Sequence, residues 1–415
     1  MPPSDLFLRA AVLMGLIFTP PAISAVETQD RNMAALDRGE YLAALDGFRA
    51  VAIGPAGEVR DRVGLQTWRQ MRVFAGVDGI CSIAPDSATG GTALDSAWAA
   101  RLSQASRTDA IGEIVKRARK TRVVILNENH ETSRGRAFGL EVARALRPLG
   151  YSVLAVEALD NRKEARLPWS ALPLRGNSVP LDAGFYIKDP VFADMIAQAI
   201  RLGYRAAAYE RVPEIGTEQS PADREQGQAQ NLLNIISHEP KTKILVYVGL
   251  SHVAEAPLPG GGGAAVEWMA ARLKKMAGID PLTIDQATLS ETASRGPGRE
   301  AHRIASLGLG TRSAILFENG SPLVYGQYGG AVDVQVVHPR TTCISGRPDW
   351  LMGLGRRPKT IPRNLLPQSG RRVVQAFAKN APSTAVPLDQ AIVEAGRPPP
   401  SLMLPDRPVR YQVQD

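Results

Sequence analysis

Four short stretches of the chain concentrate residues able to do acid–base or ligand chemistry. They are Asn127-Glu128-Asn129-His130-Glu131, Glu157, Glu210-Arg211 and Gly249-Leu250-Ser251-His252. Each follows an apolar run of strand character, and two of the chain's five histidines fall within them. In an open α/β sheet, ligands sit outside the carboxyl ends of the strands. The pattern therefore predicts carboxylates and two imidazoles around one crevice. Such a set can bind a divalent metal, or use one histidine as a general base oriented by carboxylates. Singly, each residue also has a plainer role. An acid after a strand often caps the next helix, and His252 can simply bond a loop carbonyl. His238 suits the end of a helix, and His302 and His338 have no acidic neighbours in sequence. The functional reading rests on the constellation.

The elements that must position these residues are legible as periodic runs. Arg122 to Leu126 (RVVIL), Tyr151 to Val156 (YSVLAV), Tyr204 to Tyr209 and Lys243 to Val248 (KILVYV) read as buried strands. Pro281 to Ile284, Ser313 to Phe317 and Val332 to Val337 read as further strands. Helical patterns cover Ser133 to Leu149, Pro190 to Leu202, and Ala265 to Met276 before Gly278. Ser220-Pro221-Ala222-Asp223 opens another helix, which runs to about His238. Strands alternating with helices imply an α/β fold, with a largely parallel sheet covered on both faces. Ahead of it, residues 31–54 read as a helical hairpin containing a single tetratricopeptide-like turn. Further helices are expected over about 62–75 and 93–120. The layout predicted is a signal segment over 1–25, a helical region over 26–120, the α/β domain over 121–340 and a tail over 341–415.

Other motifs carry less. Gly249-Leu250-Ser251-His252-Val253 has the outline of a nucleophile elbow without its second glycine, and adjacent Ser251 and His252 do not easily face each other. The run Gly260 to Gly263 lacks the Lys and Ser/Thr of a phosphate loop and reads as a flexible loop. The connection from Asp160 to Asp189, with Trp169, Phe185, Tyr186 and Lys188, has the length of a lid or binding loop.

Composition bounds the rest. The chain has 415 residues and a formal net charge of +8. From Thr341 onward there are eleven Arg and Lys against five Asp and Glu, along with eleven of the 31 prolines. The basicity thus belongs mainly to a Pro-rich tail, expected to wrap the domain or stay partly mobile. A nearly neutral body offers no phosphate-tracking surface, so no nucleic-acid partner is expected. Arg9, the apolar run Ala10 to Phe18 and the small residues Ala22 to Ala25 read as a secretory signal, giving a periplasmic or secreted protein. In that setting Cys81 and Cys343, the only cysteines, can form a disulfide.

Three of these stretches, with a helix between them, carry a family resemblance. Asn127-Glu128-Asn129-His130 resembles the Gly-Glu-x-His motif of the clan joining erythromycin esterase-like proteins, ChaN-like haem-binding lipoproteins and Tiki/TraB proteins. Val153 to Glu157 is similar to its second strand, Gly249 to His252 to its late histidine motif, and Asp223 to Leu233 to the helix before it. The resemblance covers about residues 120–290, with Asn127 where glycine is usual. It implies an α/β core and a site made of Glu128, His130, Glu157 and His252. Esterase-like members imply metal-independent hydrolysis, Tiki-like members a metal-dependent protease, and ChaN-like members haem binding.

The reading that follows is an exported hydrolase of an ester or amide, acting on a small-molecule or peptide substrate. His130 would activate water, Glu128 and Glu157 would orient and charge-balance it, and His252 would stabilise the oxyanion or complete a ligand set. Glu210 and Arg211 are expected to contact substrate, with Arg211 facing an anionic group. The alternative is a haem- or iron-binding protein without turnover, with Tyr204, Tyr209 and His252 as candidate ligands. The cofactor is left open between none, a divalent metal and haem. The basic tail is a candidate arm for anionic envelope polymers.

Overall fold

A computed structural model describes residues 23–77, 79–81, 93–157, 159–160, 174, 178–212, 219–259, 263–291 and 297–415. The signal segment expected over 1–25 lies almost wholly outside these residues, as do Trp169 and most of the run from Gly260 to Gly263.

Helices α1 (Ile23–Asp37) and α2 (Tyr41–Ala52) form the expected hairpin, turning at Gly39 with φ 78°. Helix α3 (Arg62–Phe74) packs against α2, which buries Tyr41, Leu45 and Phe48 at helical spacing. The helix expected over 93–120 is instead α4 (Ser96–Gln104), strand β1 (Ser106–Asp109) and α5 (Ala110–Ala118). The side chains of β1 are mostly exposed, so it lacks the apolar alternation that marks a strand in sequence.

The α/β body follows as β2 (Val123–Glu128), α6 (Arg134–Leu146), β3 (Tyr151–Val156), α7 (Pro190–Arg201), β4 (Arg205–Ala208), α8 (Pro221–His238) and β5 (Lys243–Gly249). A short hairpin, β6 (Leu258–Pro259) and β7 (Ala265–Val266), precedes α9 (Met269–Ala277), which ends at Gly278 with φ 60°. Ala265 and Val266 were expected in that helix. Then come β8 (Leu282–Asp285), α10 (Pro297–Ala305), β9 (Ala314–Glu318), β10 (Ser321–Pro322) and β11 (Val334–Val337).

The sheet runs β1-β9-β11-β8-β2-β5-β3-β4, with β10 on β9. It is parallel from β11 to β4 and antiparallel at the β9 end. Alternate residues of each strand face opposite layers. Val124, Leu126, Leu154, Val156, Leu245 and Tyr247 pack toward α6 and α7. Val123, Ile125, Val153, Ile244, Val246 and Val248 pack toward α8 and α9. This is the expected largely parallel sheet with helices on both faces.

Residues 341–415 carry β12 (Cys343–Ile344), β13 (Arg347–Pro348), β14 (Arg357–Lys359), β15 (Arg371–Ala378), β16 (Asp389–Glu394), β17 (Leu402–Leu404) and β18 (Val409–Gln414). The sheet β16-β15-β18 has a small core of its own, including Val374, Ala391, Val393 and Leu402. Buried Arg356 fastens it to α7 by bonding Asp194 at 3.0 Å and the Pro190 carbonyl at 3.1 Å. Cys81 and Cys343 are disulfide-bonded. Among the described residues, no helix is long and apolar enough to cross a membrane.

Candidate active site

The strand order places β2, β5, β3 and β4 side by side, so their carboxyl ends present Glu128, the Gly249–His252 segment, Glu157 and Glu210 as a row. Because β5 is inserted between β2 and β3, residues distant in sequence become neighbours; Glu128 pairs with Gly249 across the ladder.

Glu128 extends the face of Val124 and Leu126, and so points at α6 and at Tyr247. Fully buried Arg136 grips it through two parallel bonds, Nε to Oε2 and Nη2 to Oε1, both 2.8 Å. The Tyr247 hydroxyl donates to Oε2 at 3.0 Å. Burial alone would raise the carboxyl pKa, but the guanidinium outweighs it and holds Glu128 at about 2. Arg136 also donates to Asp189 Oδ2 at 2.7 Å, and Asp189 caps α7 through the amides of Val191 and Phe192. One charged chain thus links helix start, guanidinium and site carboxylate.

His130 donates from Nδ1 to Glu128 Oε1 at 2.7 Å. Its ring lies flat on Tyr186, with centroids 3.9 Å apart and 15° between planes. With Glu128 ionised, the bond puts a proton on Nδ1 and turns Nε2 away from the pair. Gly249 makes room for this ring. A Cβ there would come within 2.6 Å of Nε2 and 3.2 Å of Glu157 Oε2, so the glycine serves close approach.

Glu157 accepts from the Gly249 amide at 2.6 Å and from Arg224 Nη2 at 2.5 Å. Burial opposes its ionisation, yet His252, Arg224 and His130 together keep its pKa at about 2. Arg224 stands in the first turn of α8, which Ser220 caps. It also bonds Glu210 Oε2 through Nη2 at 2.5 Å and Nε at 3.1 Å, and its Nη1 lies 3.2 Å from His252 Nε2. His252 donates from Nδ1 to buried Glu225 at 2.8 Å and meets Trp268 edge to face. Burial lowers the His252 pKa, but Glu225 and Glu157 more than compensate and raise it above the usual histidine value.

The structure therefore brings Glu128, His130, Glu157, Glu210 and His252 into one cluster at the strand ends. Glu210, expected to touch substrate, is buried and engaged by Arg224 and by Gln228 at 2.9 Å. Arg211 is not brought into the cluster. Its stem crosses Gly227 on α8, and its guanidinium lies 3.9 Å from Asp223. Ser251 faces the Tyr328 hydroxyl at 3.3 Å rather than His252.

The donor set does not fit a divalent metal. Where a cation would lie between Glu157, Glu210 and His252, the Arg224 guanidinium already bonds all three. Among the described residues, no group of three or more His, Cys, Asp or Glu is arranged as ligands. The haem ligands expected from sequence are likewise engaged. Tyr204 donates to the Ala143 carbonyl and Tyr209 to that of Tyr247, while both nitrogens of His252 have partners. A cavity of about 110 Å³ lies beside the His130 loop, against Asn129, Glu131 and Thr132, rather than over the imidazole.

Arg136, Arg224, Glu225 and Tyr186 are the site residues that reading strand ends did not single out. Three of them sit on helices behind the sheet edge. A signal existed for Arg224 and Glu225, which lie in the 223–233 segment that resembles the clan's helix.

The chain matches no known family profile, and no curated protein matches it. Among solved structures it is similar to the type III effector HopBA1, at 16% identity and a TM-score of 0.28, over 38% of this chain and 79% of that one. It is also similar to RRSP, a MARTX toxin effector domain from Vibrio vulnificus, at 16% identity and TM-score 0.31 over 60% of this chain, spanning only 54% of that one. The C-terminal region of Pasteurella multocida toxin, described with a thiol-protease-like triad, gives 14% identity and TM-score 0.32, over 71% of this chain and 44% of that one. At these TM-scores the likenesses carry no argument about activity.

Proposed function

We propose that the protein is a metal-independent hydrolase of an ester or amide, with His130 as general base. The observation that carries this is the Glu128–His130 pair. The 2.7 Å bond at Nδ1 orients the ring, while Nε2 has no hydrogen-bond partner among the described residues and faces Gly249 on the side of Glu157. A base needs that unpaired nitrogen within reach of a water.

In this reading Nε2 takes a proton from water as its oxygen attacks the substrate carbonyl. The proton then passes to the leaving oxygen or nitrogen as the tetrahedral adduct collapses. Arg224, held by Glu157, Glu210 and His252, is the cation beside the developing negative charge. Glu157 balances Arg224 and fixes the Gly249 backbone. Of the activities implied by the clan resemblance, the esterase-like one suits a site whose carboxylates are paired with guanidinium groups. Export to the periplasm or beyond belongs to the same proposal and rests on the sequence of residues 1–25.

The test is hydrolysis of 4-nitrophenyl and phenyl esters by wild type and His130→Ala. Loss of at least about 10²-fold in kcat with an unchanged circular dichroism spectrum is expected. Full activity in the variant overturns the assignment.

A further inference from the structure

We propose that Tyr186 is a further catalytic residue, whose hydroxyl donates a hydrogen bond to the oxyanion formed when water adds to the substrate carbonyl. The proposal rests on the hydrolase reading above and gives that site a donor which the reading does not include.

The first ground is position. The phenol ring lies flat on the imidazole of the general base, with centroids 3.9 Å apart, so it is in direct contact with the group that would activate water. The residue is fixed there from behind: the Tyr186 carbonyl accepts from the Asp189 amide at 3.2 Å, and Asp189 caps α7 and binds Arg136. The second ground is an unspent donor. Tyr41, Tyr151, Tyr204, Tyr209 and Tyr247 each donate their hydroxyl to a protein acceptor. Tyr186 makes no such bond among the described residues, and its oxygen is not among the sealed, unpartnered polar atoms. A phenol stacked on the base and bonded to no protein acceptor is a donor available to something that binds there.

The electrostatic surroundings agree. Burial and the Glu157 carboxylate push the Tyr186 pKa up, so the phenol stays protonated and neutral throughout the working range. Glu157, Arg224, Glu128 and Arg136 are the charges that act on it, the same groups that hold the row of strand ends together. A neutral donor suits this site, because it stabilises the adduct without adding another charge.

The step balances simply. Water loses a proton to His130 Nε2, its oxygen bonds the carbonyl carbon, and the carbonyl π pair moves onto oxygen, which accepts the Tyr186 hydrogen bond. On collapse the C=O re-forms, the bond to the leaving oxygen breaks, and the proton on Nε2 goes to that oxygen. Tyr186 keeps its proton throughout.

Tyr186→Phe keeps the stack and removes only the donor. On 4-nitrophenyl acetate and phenyl acetate it should lower kcat by about 10²–10³ for both leaving groups, with KM within about twofold and an unchanged thermal midpoint. Wild-type kcat in Tyr186→Phe while His130→Ala is inactive overturns the proposal and leaves the hydrolase reading standing. Full activity of His130→Ala overturns both. If Tyr186→Leu is impaired but Tyr186→Phe is not, the ring only positions His130 and the proposal fails. Phenylboronate, whose hydroxylated tetrahedral form mimics the adduct, needs no turnover. It should bind Tyr186→Phe at least tenfold more weakly than wild type, and equal binding, or none to wild type, overturns the proposal.

Discussion

Asn127 Nδ2 donates to the Leu250 carbonyl at 3.1 Å, and so ties the end of β2 to the turn that carries His252. The same amide donates to Asp285 at 2.8 Å, and its oxygen accepts the Gln286 amide at 2.8 Å. Leu250 sits at φ 32°, a backbone region that a branched side chain adopts only under constraint. Asn127→Ala should cost about 1–3 kcal/mol, because it leaves a buried amide and a carbonyl without partners. Urea denaturation reads the loss, and unchanged stability would show that the turn holds itself.

Arg136 neutralises two buried carboxylates. Arg136→Met should destabilise by about 3–5 kcal/mol, since Glu128 and Asp189 are left uncompensated. Glu128 has a folded pKa of about 2, below an unfolded value near 4.3. Its contribution is therefore present above that unfolded value and lost as pH falls toward 2. The stability gap between wild type and variant should narrow from pH 6 to pH 3. A constant gap would contradict the pairing.

His252 should set an acid limb in the rate. Its Nε2 accepts from Arg224, and protonation turns that acceptor into a donor. Its pKa is raised by Glu225 and Glu157 against the effect of burial. Activity on 4-nitrophenyl esters should thus fall toward acid with a midpoint above about 6.5. This group's stability contribution has the opposite sense: full below the unfolded pKa, and lost as pH rises through the folded one. His252→Gln should move that limb, and an unchanged limb would assign it to another group.

The Cys81–Cys343 cross-link spans 262 residues. Breaking it with Cys343→Ser should cost about 2–5 kcal/mol. Denaturation with and without dithiothreitol checks this: wild type should shift and the variant should not.

The central strands were legible because β2, β3 and β5 are buried on both faces and read as unbroken apolar runs. Strand β1 was not, since Ser106–Asp109 gains its place only by pairing with β9. The 341–415 segment shows how composition can mislead. Its prolines fall at turns and in short strands such as β13 and β14, where a missing amide is tolerated, while Val373 to Phe377 supplies a buried strand. The clustering of Glu128, His130, Glu157 and His252 is legible because adjacent parallel strands bring their carboxyl ends together. Arg136 and Arg224 were not, because a cation reaching forward from a helix follows no period of the strands. Arg211 lies outside the cluster for a related reason: adjacency to Glu210 in sequence says nothing of which way a side chain leaves the sheet edge.

The cross-link also has a topological consequence. Strands β1 to β11 all lie between its two cysteines, so the α/β body is one closed covalent ring, with the helical hairpin and the C-terminal sheet as its two tails. A single proteolytic nick anywhere in that ring opens the loop without releasing a fragment. On a gel the nicked protein would run as one species until thiol is added, and a protease survey without reductant would count it as intact.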